Sequence, residues 1–382
     1  MFLQIHTLTS YPASLLNRDE AGLAKRIPFG NASRLRVSSQ CLKRHWRDEL
    51  AALLSDIPDS LRTRSFFTRA VKPRLTDGGM DDATASALVQ ALAKGVIDGG
   101  VKDGGELAQP VLFGLREADY FAEIARVVAK GAASPEAAGK ALAERLKSPD
   151  EKKNIAAMKA SAAGLTAGLF GRMVTSDLLA RVDAPVHVAH AFTVHAAAAE
   201  MDYFTVVDDL NRDDETGAAH ANQSELAAGI YYGYVVVDVP LLVSNLTGFD
   251  RRDWRKQEAT TPRRVLDALL RAIPSVSPGA KLGSTAPYSR AELVLLEAGT
   301  QQPRTLANAF LEAVDARNVT MPRAVDRMGK YLKRVDDMYG ITSHERALAT
   351  IHDAPAFGDL VPESLDGAIG RVLDAAFALP GA

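Results

Sequence analysis

The sequence predicts an α+β fold. Three observations predict it: apolar and β-branched stretches at the start and middle of the chain, helical spacing of apolar residues between them, and a long alanine-rich excursion. Strands and helices are mixed along the chain, with a helical stretch inserted.

Phe2–Thr9 reads as the opening strand, stopped by Tyr11-Pro12. A loop carrying Asn17–Gly30 follows. Arg34–Val37 alternates, which puts both arginines on one strand face and Leu35 and Val37 on the other. Ser38 or Ser39 is a good N-cap for a helix over Gln40–Ser55, because a serine oxygen accepts from a first-turn amide. On that helix Leu42, Trp46, Leu50, Leu53 and Leu54 form a buried stripe, and Gln40, Lys43, Arg44 and Arg47 share another face.

Between Ile57 and Asp150 helical patterns recur at Ala83–Lys94, Glu117–Lys130 and Pro135–Lys147, with Gly95–Gly105 as a flexible connector. Asn154–Leu179 is helical in pattern but weakened by Gly164, Gly168 and Gly171. Val186–Val194 reads as a strand and the acidic Asn211–Ser224 as a protruding loop. Gly229–Val239 is the clearest strand. Arg263–Ala272 reads as a helix, Glu292–Leu296 as a strand and Thr305–Arg317 as a helix; no element is assigned beyond that, and no internal repeat is visible.

At 382 residues and 47% hydrophobic, the chain has material for one large domain with insertions or for two domains. A net charge of −2 says nothing about partners, so clustering has to. Asn17–Arg47 holds eight Lys or Arg against two acids, a local charge of +6. Cations that dense form a solvated face or a grip on phosphates. A helix N-terminus beside a ladder of cations favours the grip. The single cysteine, Cys41, excludes an intramolecular disulfide and fits a reducing cytoplasm. Its basic neighbours could lower the thiol pKa, while its place in a first helical turn suits a small half-buried residue. No apolar run is long enough to span a membrane, so a soluble cytoplasmic protein is expected.

The histidines His187, His190 and His195 with Glu200, Asp202, Asp208 and Asp209 are the one cluster that suggests a metal. A strand rise of ~3.3 Å per residue sets His187 and His195 roughly 26 Å apart, with His190 on the opposite face. No metal site is therefore expected. Neither a phosphate loop nor a nucleophile elbow nor a carboxylate pair is present, so no catalytic residue and no cofactor are expected.

Four blocks resemble the CasC family, the repeated backbone subunit of the type I-E CRISPR surveillance complex Cascade. The first is Leu16-Asn17-Arg18-Asp19, the Phe29-Gly30 turn, and Arg34-x-Arg36-Val37-Ser38-Ser39-Gln40-x-Leu42-Lys43-Arg44-x-x-Arg47. The second is Ser161–Ser176, centred on Gly171-Arg172-Met173-Val174-Thr175-Ser176. The third runs from Ala189 through His195 to Asp202–Leu210, and the fourth, weaker, joins Pro278–Lys281 to Leu306–Phe310.

The resemblance implies a hand: a ferredoxin-like palm of the RNA-recognition type, a helical fingers insertion and a protruding thumb. Its boundaries here would be palm 1–60, fingers 61–180, a palm strand 181–196, thumb 197–226 and palm 227–382. It implies a non-catalytic subunit that polymerises head to tail along a CRISPR guide RNA, beside other Cascade subunits, and presents the guide for pairing with target DNA. Arg18, Lys25, Ser38, Gln40, Lys43, Arg44 and Arg47 would hold the RNA backbone. Met173, Thr205 and Phe204 would form the wedge that displaces bases. By themselves Met173 and Thr205 read as packing residues. Lys25 is followed by Arg26, which leaves open which cation makes the contact. A ribonuclease of the same system and a stand-alone single-strand RNA-binding module are the rival functions.

Overall fold

The structure is a computed structural model that describes all residues except Asp98, Lys159, Val174, Thr175, Asp177, Leu178, Ala180, 208–217, Gln257, Glu258, Lys281, Ala316, Arg317, Val319, Ser343 and 379–382; the side chains of Ala156, Ala157, Ala160, 204–207 and 218–222 are likewise not described. Its strands are β1 (Phe2–Ser14), β2 (Arg26–Phe29), β3 (Ala32–Val37), β4 (Ser60–Thr63), β5 (Val111–Gly114), β6 (Val186–Val188), β7 (Ala191–Thr193), β8 (Ala199–Val207), β9 (Ala218–Asp238), β10 (Leu293–Gly299) and β11 (Glu345–Thr350). The chain divides into two compact units. The first holds Met1–Ala52, Val188–Val237 and Val265–Ala382; the second holds Leu53–His187 and Asp238–Arg264. Among the described residues no helix is long and apolar enough to cross a membrane.

The first unit is built on a sheet of order β11-β10-β1-β9-β7-β3-β2, with β8 paired antiparallel to β9. β1 pairs antiparallel with β10 (Ile5 opposite Leu296), and β10 with β11 (Leu295 opposite Leu348). Tyr11-Pro12 does not stop β1. Tyr11 stays paired in the core, edge-on to Tyr231 at 5.7 Å, and Pro12, which has no N–H to donate, lies exposed. Leu8, Leu293, Leu295 and Leu348 pack with Met321, Val325, Met328 and Leu332 of helix Met321–Tyr339. That helix carries the three-and-four spacing of a one-sided stripe and ends on Gly340 at φ 61°. Helix Leu365–Phe377 packs on β10 and β11.

The expected Val186–Val194 strand is split into β6 and β7. Ala218–Ser224 of the expected loop is strand, paired with β8; Asn211–Gly217 lies outside the described residues. Thr305–Arg317 does not form the expected helix: among its described residues only a 3-10 turn, Ala307–Phe310, is regular. The segment is instead a strap. Leu306 N–H donates to the Tyr232 hydroxyl at 2.9 Å, and Leu311 O accepts Asn31 N–H at 3.1 Å. Ala313 N–H donates to Asn31 Oδ1 at 2.8 Å, and Val314 N–H to Val194 O at 3.0 Å. Backbone groups used this way cannot serve a helical ladder.

The strap explains the glycine of the β2–β3 turn. Gly30 sits at φ 61°, and a Cβ there would lie 1.6 Å from Leu311 O. Gly30→Ala is expected to lower stability by about 2–4 kcal/mol, from left-handed strain plus the clash. A urea midpoint equal to that of the wild type would refute the docking of turn on strap.

The second unit is mainly helical, with β4 and β5 as a small antiparallel sheet. Helices Asp82–Val96, Leu115–Ala129 and Pro135–Lys147 surround a core in which Phe66 stacks on Phe113 at 4.0 Å. Asp81 and Ser134 cap two of them, accepting from Thr84 and Ala137 amides. The pattern over Asn154–Leu179 is interrupted at Gly164 and Gly171, both at positive φ, leaving only Leu165–Phe170 as a short helix between them.

Candidate nucleic-acid interface

The cationic ladder rests on a helix that spans Ser39–Leu53. Trp46 and Leu50 anchor it from below, and Leu54 is buried just beyond its end. Leu53 departs from the expected stripe at 52% exposure. Ser38 is the cap: its Oγ accepts Cys41 N–H at 3.4 Å, and its own N–H donates to Asn17 Oδ1 at 2.9 Å. Gln40 and Arg44 are exposed, while Lys43 and Arg47 are half-buried along the same flank. Burial pulls the Lys43 ammonium below its ordinary value.

The loop before β2 is sewn onto this junction. Arg18 bridges Ala24, Lys25 N–H donates to Asn17 O at 2.9 Å, and Lys25 O accepts Arg36 N–H at 2.8 Å. The charges of Lys25 and Arg44 both act on the Cys41 thiol, and those of Lys25 and Arg36 both act on His190. The backbone bonds Lys25–Asn17 and Arg36–Lys25, with Arg36 against His190, hold Lys25, Arg36 and His190 near the capped helix start, although they come from the loop, β3 and the segment before β7.

The structure bears on three readings of this segment. Arg34 is not on a solvent-facing strand face: it is fully buried, donating to Thr193 O at 3.0 Å and Phe310 O at 2.7 Å. The alternation is real, but the strap covers that part of the face. Arg34 is a strut. Cys41 is not activated; burial pushes its thiol up more than Lys25 and Arg44 pull it down. Arg26 is engaged by Glu225, with which it forms an ion pair, whereas the charge of Lys25 acts on Cys41 at the helix start.

Sequence reasoning missed two partners, Glu225 and His190. Arg36 Nη1 lies 3.0 Å from His190 Nδ1, and burial, reinforced by Arg36 and Lys25, holds that imidazole below its ordinary value. The other histidines are satisfied locally: His187 Nε2 by Ala184 O at 3.0 Å, and His195 by Ala196 O at 2.8 Å and Ile230 N–H at 3.3 Å. Among the described residues no three His, Cys, Asp or Glu are placed to hold one metal ion.

Met173, in the second unit, is 87% exposed and so is not a packing residue. It is presented from a firm base. Arg172 beside it is buried, donates to both Glu117 oxygens at 2.8 Å, and exchanges backbone hydrogen bonds with Val182. Phe204 and Thr205 lie on β8, opposite Asn222 and Ala221, with side chains outside the described set.

Comparison with curated proteins gives no match. Among solved structures, the chain is similar to a chain of a CRISPR RNA-guided surveillance complex in a pre-nicking state, with 30% identity and a TM-score of 0.79 over 99% of this chain and 100% of that one. A chain from another CRISPR RNA-guided surveillance complex shares the fold, with a TM-score of 0.63 at 24% identity over 99% of this chain and 100% of that one. Residues 3–369 match the CT1975-like protein family of Cas proteins. With nearly its whole length matched, the chain belongs to that family.

Proposed function

We propose that this chain is the guide-holding backbone subunit of a CRISPR surveillance complex, of the CasC kind and type I-E, acting in the cytoplasm without catalysis. The observation that carries this reading is the hydrogen-bonded placing of Lys25 and Arg36 beside the capped start of the helix that bears Arg44, in a chain similar over its full length to a chain of an RNA-guided complex. In this reading the first unit contains a ferredoxin-like palm, the second the fingers, and residues 197–226, with β8 and the start of β9, form the thumb.

Arg18, Lys25, Ser38, Gln40, Lys43, Arg44 and Arg47 hold the sugar–phosphate backbone. Such contacts position the RNA without reading its sequence. Met173, Phe204 and Thr205 replace a stacked base at intervals, a role that an exposed, flexible, apolar side chain suits. The bases left free pair with target DNA, so pairing supplies specificity. Head-to-tail contacts between copies are heterologous and extend into an open filament when the rotation does not close.

The deciding measurement is the stoichiometry of the purified protein on single-stranded RNAs of increasing length, by mass photometry, with the RNA recovered and sized. Copies are expected to rise stepwise with length on intact RNA. One copy at every length would establish a stand-alone binding module instead, and shortened RNA a nuclease.

A further inference from the structure

Resting on that reading, we infer that Glu225 is a positioning residue that sets Lys25 against the guide phosphates and ties it to the β8–β9 hairpin. Glu225 is 4% exposed and sits on β9 opposite Met201 of β8. One of its oxygens accepts Ala24 N–H at 2.5 Å, and the other pairs with the Arg26 guanidinium. The carboxylate thus grips the residue on each side of Lys25. The Lys25 peptide is itself held by Asn17 O and Arg36 N–H. With both neighbours and its own backbone groups fixed, the fold sets the Cα–Cβ direction from which the Lys25 side chain leaves the backbone.

An acid on a phosphate-binding face would repel the ligand if it were exposed. Buried and saturated by two donors, Glu225 costs the surface little and removes Arg26 from the cations a phosphate can reach. Its place on β9 adds a second consequence. The same strand sets the register of β8, which carries Phe204 and Thr205, so one carboxylate links the phosphate grip to the hairpin of the wedge. Glutamine at this position keeps an acceptor for Ala24 but releases Arg26.

The test compares wild type with Glu225→Gln, Lys25→Ala and the double variant, each titrated with one mixed-sequence single-stranded RNA over a range of salt. Glu225→Gln is expected to weaken binding about tenfold, as for a lost charge-assisted hydrogen bond. The salt slope should flatten by ~0.7, one phosphate contact on a single strand. In the Glu225→Gln background, Lys25→Ala should add no further loss. If the carboxylate acted only as a negative charge, its removal would tighten binding; unchanged or tighter binding overturns the inference. Hydrogen exchange of Asn17–Arg26 in the free full-length protein reads the positioning without RNA. Faster exchange in Glu225→Gln supports it, and unchanged exchange overturns it. Should the wild type bind no RNA while exchange still accelerates, the RNA reading falls and the role of Glu225 in holding the loop stands.

Discussion

Glu297→Ala is expected to destabilise the protein by about 3–5 kcal/mol, the cost of leaving buried charge without its partner. Glu297 is fully buried on β10. Arg304 donates to both its oxygens at 2.6 and 2.9 Å, Arg346 to one at 2.7 Å, and His6 Nε2 to one at 3.2 Å. Asp336 completes the cluster, accepting from Arg346 at 2.6 and 2.9 Å and from Arg304 at 3.3 Å. Two guanidinium groups therefore balance two carboxylates. Without Glu297 both arginines converge on Asp336 alone, which leaves one positive charge uncompensated inside the sheet unit. Urea denaturation measures the loss; a change under about 1 kcal/mol would mean that the cluster sits in a far wetter site than its burial indicates.

The same cluster sets a pH dependence. Burial opposes ionisation of Glu297, but His344 at 3.5 Å, His6 and Arg304 outweigh it and hold the carboxyl well below its ordinary value of 4.5. Burial, aided by the charges of Arg304 and Arg346, also holds His6 below 6.5 against the pull of Glu297. In both cases the unfolded chain binds the proton more readily than the folded one. Stability is thus complete at high pH and is lost on acidification. The loss begins as pH falls below 6.5, where His6 titrates in the unfolded chain, with His190 and His195 acting in the same direction. It steepens below 4.5, where Glu297 joins. Thermal melts at a series of pH values test this; a midpoint that rises on acidification from neutral pH would contradict the assignment.

Local pattern carried the elements that bury a stripe or a face. β1, the helix Ser39–Leu53 and the C-terminal half of β9 are legible because their apolar spacing is regular. Helix Met321–Tyr339 carries an equally regular stripe and a terminal glycine, so its signal was present though unread. The Thr305–Arg317 strap was not legible, since its helical composition yields to hydrogen bonds with Tyr232, Asn31 and Val194, all distant in sequence. The same limit applies at the interface. The ladder Gln40, Lys43, Arg44, Arg47 is a local pattern and reads directly. That Arg34 is buried depends on Phe310, and that Arg26 is engaged depends on Glu225, and neither partner is near it in the chain. Charge clustering finds the surface; only the fold shows which of its cations are buried struts and which lie at the surface.

That sorting sharpens the second large prediction. Lys43→Ala with Arg47→Ala should weaken binding to single-stranded RNA of any sequence by about 30- to 100-fold, two charge-assisted contacts together. The slope of log affinity against log salt should fall by ~1.4, or ~0.7 per phosphate contact. Both side chains are half-buried on the flank that also carries exposed Gln40 and Arg44. Their stems therefore lie on the protein, so truncation removes a cation already directed by packing. Arg34→Met is the contrasting variant. It removes one more positive charge from the same stretch of sequence, but that charge is spent on Thr193 O and Phe310 O. Its first effect should be a lower unfolding midpoint, with the salt slope of whatever folds unchanged. If Arg34→Met flattened the slope as Lys43→Ala with Arg47→Ala does, net charge and not geometry would govern binding, and the interface drawn around Lys25, Lys43, Arg44 and Arg47 would be wrong.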